Sequence, residues 1–212
     1  MNEPARVRIP RPGELTAEQA GLYARITGGP RASGPQLFDL ADAEGRLLGP
    51  FGPMLLAPAL GEALQQLGSA VRYRTSLPGR TREMAILAVA THCGSGFERR
   101  AHEAVGRAAG LDEREIAALR TAGCLEPEDD AERAALHLVS TVLGDGDPDD
   151  AGYAETVALL GEQQITELVT LAGYYTTLAM LMRVFGVDEP VSADPSADPP
   201  PGPSTDHAPR DR

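Results

Sequence analysis

The sequence contains no tryptophan, and aromatic residues make up only 4% of its 212 positions. A β-sandwich draws on aromatic and β-branched side chains, so a core of Ala, Leu and Val points instead to closely packed helices. Cysteine is nearly as scarce. Two in a chain of this length are no disulfide framework, and no CxxC pair occurs. Positive charge is short as well: the formal net charge is −12. That argues against nucleic acid as a partner, because phosphate contacts need a basic face. The segment from Asp188 onward holds six acids and two arginines, hence −4, which leaves −8 for the rest. No apolar run approaches membrane-spanning length, and the opening "MNEPARVRIPRPGEL" has no apolar h-region. The expectation is a cytoplasmic protein with no membrane partner.

What is present is a 42% apolar fraction, enough for one well-buried domain. The chain divides into an N-terminal helix-and-loop arm (1–49), a helical core domain (50–187) and an acidic, Pro-rich tail (188–212) with too little to bury, expected to be disordered. In the arm, Thr16 and Gln19 form a capping-box pair ahead of a short helix stopped by Gly28-Gly29. A Gly- and Pro-rich stretch follows, placed to lie across a partner or over a pocket. Leu60, Leu64, Leu67 and Val71 recur at helical spacing from Pro58 onward. A second helix starts near Gly79 and carries the apolar run Met84–Ala90. Gly94 breaks it. Ser95 restarts the chain as an N-cap with Glu98 three residues on, and Asp112 with Glu115 repeats that grammar. A further helix follows the acidic "EPEDD". After "DGDPDD", read as a turn, the longest helix runs from Glu162 to Phe185. No strand is expected, so the fold class is all-α.

The stretch "THCGSGFERRAH" (91–102) concentrates the chemistry. Glu98 and His102 stand at i and i+4 on one helical face, where a carboxylate can fix an imidazole's tautomer and raise its basicity. The alternative is a capping box with Ser95 and a helix-face histidine. Glu83 enters the apolar run of the preceding helix, where a carboxylate needs either a partner, Arg80 or Arg82, or a function. Cys93 precedes a helix N-terminus beside His92, a setting that favours a thiolate, but a small buried apolar residue is the competing reading. His92, Cys93 and His102 have no recognised metal-ligand spacing, and no cofactor is expected. Arg72 and Arg74, with Arg99 and Arg100, offer an anion clamp for a small-molecule substrate. His137, Tyr174 and Tyr175 fit the apolar faces of their helices and read as core.

The order of an Arg-Glu followed by an apolar helix, then C-G-S-x-aromatic-E-x-x-x-H, then A-A-G-L-x-x-x-E-I, resembles the carboxymuconolactone decarboxylase family, which includes the AhpD alkylhydroperoxidases. The resemblance runs from about residue 50 to 123 and resumes at "ITELVTLAGYYTTLAMLMRVFGV". It implies a helical fold that assembles into trimers or hexamers with sites close to subunit contacts. The peroxidase branch uses Cys-x-x-Cys-x-x-x-His after an upstream glutamate. Set on His102, that motif places its cysteines on Ser95 and Glu98, its intervening histidine on Phe97 and its glutamate on Glu83. Both redox cysteines are therefore missing, while Glu83, Glu98 and His102 remain. The set is similar to the decarboxylase branch, whose cofactor-free site acts on a lactone carboxylate. Three readings stand: an acid–base lyase or isomerase in which a protonated His102 quenches an enolate, a single-cysteine peroxidase built on Cys93, and a non-catalytic helical oligomer.

Overall fold

The computed structural model describes residues 6–29, 37–121, 125–144 and 146–187. Gly123, Cys124 and the expected disordered tail lie outside them. A 3-10 turn (Pro12–Glu14) leads into α1 (Ala17–Gly28), and then come α2 (Phe51–Met54), α3 (Pro58–Tyr73), α4 (Gly79–Cys93), α5 (Gly96–Ala108), α6 (Glu113–Leu119), α7 (Asp130–Leu143) and α8 (Asp150–Phe185). Among the described residues there is no strand, only one isolated antiparallel bridge between Ala41 and Leu47.

The caps form where the sequence puts them. Thr16 accepts from the Gln19 amide, and the Gln19 side chain accepts from the Thr16 amide in return. Asp112 and Glu115 make the same reciprocal pair on α6. Gly94 ends α4 in the left-handed region, at φ 66°, which a glycine enters without steric cost.

The centre of the fold is α4, packed against α5, α7 and α8. Its Ile86 and Val89 join Leu138, Val139, Leu168 and Leu171 in one apolar core. Its first turn is tied down by Arg80, which donates to the Gly110 carbonyl at 2.7 Å and to Glu132 at 2.9 Å, and also pairs with Glu115. One guanidinium thus links α4, the α5–α6 turn, α6 and α7. Arg120 clamps the buried Glu103 with two 2.7 Å bonds, locking α6 to α5.

Four sequence expectations need correction. The acidic "DGDPDD" does lead into a helix, but α8 begins at Asp150, capped by Asp149, rather than at Glu162, and continues past a break at Gly161 (φ 74°). The short apolar repeat ahead of Gly161 offers too few periodic positions to announce itself. On α3, Leu60 is 61% exposed, while Gly61, Gln65, Gly68 and Ser69 are buried. The neighbours come so close that small residues take the inner face. His137 is exposed, and its Nδ1 lies 3.2 Å from the Thr141 hydroxyl. Finally, an 18-residue window of α8 reaches a mean hydropathy of 1.3, so this helix is long and apolar enough to cross a membrane by length and composition. Its Leu168, Leu171, Leu178 and Met182 are buried in the fold, the position of a core helix.

Residues 37–50 form a strap across the bundle. Asp42 organises its tip, accepting from the Glu44 and Arg46 amides at 2.9 Å and from Arg46 Nε at 2.8 Å. Tyr23 of α1 donates to the Gly45 carbonyl. Gly49, at φ 55°, lies flat on the Phe97 ring, where a Cβ would approach within 2.5 Å.

Gly61 marks the tightest crossing. A Cβ there would meet the Met54 carbonyl oxygen at 2.4 Å and Leu22 Cδ2 at 2.7 Å. Gly61→Ala is expected to destabilise the protein by about 1–3 kcal/mol in urea unfolding, because overpacking outweighs the ~1 kcal/mol that alanine gains in an unstrained helix. Unchanged or increased stability would contradict this account of the α2–α3 contact.

Candidate active site

The apolar run that makes α4 the central helix also carries Glu83 into the interior, where it is 0% exposed. An ionised carboxylate there must be compensated. His102, on the second turn of α5 and 4% exposed, supplies the first partner: its Nδ1 lies 2.7 Å from Glu83 Oε2. Arg82 Nε stands 3.4 Å from Oε1. Burial, the largest influence on Glu83, pushes its carboxyl up. The hydrogen-bonded His102 and the charges of Arg72 and Arg82 more than offset this and hold it below the usual range. For His102 burial wins, and its pKa lies below the ordinary imidazole value despite the pull of Glu83. The pair therefore rests as carboxylate and neutral imidazole, with the negative charge balanced by the two guanidinium groups. In that state Nδ1 carries the proton and donates to Glu83, so Nε2 is the free acceptor.

His102 lines a cavity of about 20 Å³ together with Arg72, Glu98 and Tyr175. That is room for a water molecule and not for a substrate. Phe38 and Phe51, on and just after the strap, and Phe97 complete the walls. Phe38 packs edge-on to Phe97 with centroids 6.3 Å apart, and its ring lies 6.5 Å from that of His102. Residues 37–51 therefore lie over the site, as the loop composition allowed.

The candidates of the sequence fall into two groups. Glu83 and His102 are directly bonded, and Glu98 (2% exposed) and Arg72 line the same cavity. The hydrogen-bond partner of His102 is not the i−4 neighbour Glu98 but Glu83, because the ring faces α4. Glu83 in turn does not pair with Arg80, which is committed to Glu115 and Glu132. Ser95 is the N-cap of α5, buried, its hydroxyl accepting from the Glu98 amide at 3.4 Å. Arg74 and Arg100 are exposed and do not line the cavity.

Cys93 sits apart. Its thiol lies 3.9 Å from the Thr176 hydroxyl and opens to a separate groove of about 530 Å³ with His92 and Arg183. Burial pushes its pKa up, the opposite of what a reactive thiolate needs. A groove of about 850 Å³ runs along α7 and includes neither Glu83, Glu98 nor His102. Size does not mark the site here; converging titratable groups do. Among the described residues no group of three His, Cys, Asp or Glu side chains is placed to hold a metal ion. Sequence reading missed Phe38, Phe51 and Tyr175 as walls of the site. Tyr175 follows the core periodicity of α8, and nothing local shows that this face looks onto a histidine of α5.

Both shifts lower stability in acid. Below about pH 6.5 an unfolded chain protonates the imidazole that the fold keeps neutral, and below about pH 4.5 it protonates Glu83, which the fold keeps ionised. Stability is therefore expected to rise with pH through each window. Thermal melts of His102→Gln should show a shallower dependence between pH 6.5 and 5 than the parent. An unchanged slope would mean that His102 is not held neutral.

Residues 58–141 match the family model described as the carboxymuconolactone decarboxylase family. No curated protein matches the chain in sequence. Among solved structures the chain is similar to a protein of unknown function from Agrobacterium tumefaciens, likened to the antioxidant defence protein AhpD. The identity is 22%, over 66% of this chain and 96% of that one, at a TM-score of 0.57. It is also similar to an uncharacterised peroxidase-related protein from Silicibacter sp. TM1040, 13% identical over 87% and 91% of the two chains, TM-score 0.67. A third likeness is to the debrominase Bmp8, with 13% identity, coverages of 82% and 87% and a TM-score of 0.60. At these identities the likeness is one of fold. The chain thus has the AhpD-like helical fold, and residues 58–141 are similar to the carboxymuconolactone decarboxylase family.

Proposed function

We propose that this protein is a cofactor-independent acid–base enzyme, a lyase or isomerase acting on a small carboxylated lactone or another enolisable acid. The observation that carries this reading is the buried 2.7 Å bond from His102 Nδ1 to Glu83 Oε2, with the imidazole lining a small, mostly apolar cavity that Arg72 and Glu98 also reach. The bond fixes the tautomer, so Nε2 accepts the proton from an acidic carbon, the C–H electron pair passes to the neighbouring carbonyl as an enolate, and the imidazolium is stabilised by Glu83. Return of the proton at another carbon gives isomerisation; expulsion of a β-substituent gives a lyase. Where CO₂ leaves instead, the same nitrogen, once protonated, quenches the enolate. Arg72 is placed to hold the substrate carboxylate, and Glu98 is the second carboxylate at the cavity. The family similarity over residues 58–141 favours this class.

Entry of any substrate requires the cavity walls to move, since the space beside His102 is only about 20 Å³. The site close to subunit contacts in a trimer or hexamer, and a cytoplasmic setting, remain part of the proposal. The single-cysteine peroxidase is the less favoured reading, because the Cys93 thiol is pushed up in pKa and lies off the Glu83–His102 cavity.

A panel of carboxylated γ-lactones and 3-oxo acids, assayed by CO₂ release and by proton NMR in D₂O, tests the proposal. Turnover is expected to fall about 10²–10⁴-fold in His102→Gln and to be retained in Cys93→Ala. Peroxide consumption that disappears in Cys93→Ala, with no lactone turnover in the parent, would reverse the choice.

A further inference from the structure

One buried phenol beside the Glu83–His102 pair is not used by that chemistry. Tyr175, on α8, is 3% exposed and lines the same cavity as Arg72, Glu98 and His102. Its ring meets that of His102 at 90°, with centroids 5.1 Å apart. Tyr174 packs against it from behind in a second edge-to-face contact at 5.2 Å. Arg72 lines the same cavity wall, and its positive charge acts on the phenol. A guanidinium only donates, so it makes no claim on the phenol's own proton. Burial pushes the phenol up, Arg72 pulls against this, and Glu83, Tyr174 and Glu98 add to the rise, so the group stays protonated. Arg72 Nε, also buried, has no hydrogen-bond partner among the described residues.

A guanidinium charge beside the phenol polarises its O–H, which makes a stronger donor of the proton it still holds. The site then has a base on α5 and a donor on α8, on two walls of one cavity. We propose that Tyr175 is the oxyanion donor of this site: its hydroxyl, on the cavity wall it shares with Arg72 and His102, donates to the substrate carbonyl oxygen as negative charge gathers there. The inference rests on the acid–base reading of His102. The proton leaving carbon goes to His102 Nε2, the electron pair goes to the carbonyl oxygen, and the Tyr175 proton stays on Oη throughout. Arg72 Nε faces no protein acceptor and is the donor left for the substrate carboxylate. The ligand class that follows is a small carboxylate whose carbonyl lies next to an acidic C–H, flat enough to enter between Phe38 and Phe97.

The test uses 4-nitrophenolate at pH 8 as an oxyanion probe, its binding to the full chain followed by the shift of its visible band. The parent and Phe38→Ala are both titrated, so that a closed strap cannot hide the site. Tyr175→Phe, in either background, is expected to weaken the probe about tenfold or more, the worth of a hydrogen bond to a charged group. Its thermal melt checks that the fold survives loss of one oxygen. His102→Gln should change probe affinity less than threefold. Equal affinity with and without the Tyr175 hydroxyl, or no binding to parent and Phe38→Ala alike, overturns the proposal. Deuterium exchange into 4-oxopentanoate in D₂O separates this inference from the reading beneath it. If the parent exchanges no C–H while probe binding still depends on Tyr175, the acid–base reading fails and the oxyanion site stands. If exchange occurs and requires His102 but not Tyr175, the reading stands and the oxyanion role fails.

Discussion

A single hydrogen bond between two helices, from His102 on α5 to Glu83 on α4, is the constraint around which this structure is organised. A carboxylate 0% exposed in the central helix of a bundle is a liability unless several groups answer it. Arg82 comes from the same helix, Arg72 from α3 and His102 from α5, so three elements must be in register for Glu83 to remain charged. Arg80 fixes the first turn of α4 to α6 and α7 just below, which sets that register. Packing and electrostatics are therefore not separable here: shifting α4 by one residue would bury the charge against leucine and leave the imidazole without its acceptor.

The same constraint gives the two members of the pair different states. Desolvation acts on both, but Glu83 has cations on two sides while His102 has cations where it would least want a proton. Arg72 and Arg82 hold the carboxylate ionised and discourage the imidazolium. The outcome is an imidazole whose tautomer is fixed by its carboxylate partner. It also explains why the pair is closed off. In a cavity of one water's size, lined by Phe38, Phe51 and Phe97, the local field is not diluted by bulk solvent.

Much of this was legible in the sequence, and the unread part has a common physical cause. Caps at Thr16, Ser95 and Asp112 are local, set by residues three apart, and they form as read. The candidate residues Glu83, Glu98 and His102 do come to one place. What the sequence could not give was direction. Glu98 sits one turn from His102 and is the obvious partner by spacing, yet the ring turns to a residue nineteen positions away. The helix from Asp150 was hidden by an acidic opening and a glycine break, because a segment of eleven residues shows barely three turns of pattern. On α3 Leu60 and Leu67 fell outside, because close contact with Met54 and Leu22 admits only glycine at position 61. In each case tertiary contact overruled a local signal.

The positions where a dithiol motif would stand bear on how such a fold can change chemistry. Ser95 keeps a structural task as the cap of α5, and Glu98 puts a carboxylate where a second sulfur would be, at the wall of the cavity. Neither can be oxidised to a disulfide, so two-electron thiol cycling has no starting point at these positions. The buried glutamate and histidine do not depend on the sulfurs: their bond runs between α4 and α5, one and two turns away from the substituted positions. A scaffold that holds a fixed-tautomer imidazole against a charged carboxylate retains proton transfer when its redox partners are replaced. The remaining cysteine, with its raised pKa and its own groove beside Thr176 and Arg183, is not a relocated version of the missing pair. What the geometry retains is a buried carboxylate–imidazole pair, and the aromatic walls of Phe38, Phe51 and Phe97 limit what can reach it.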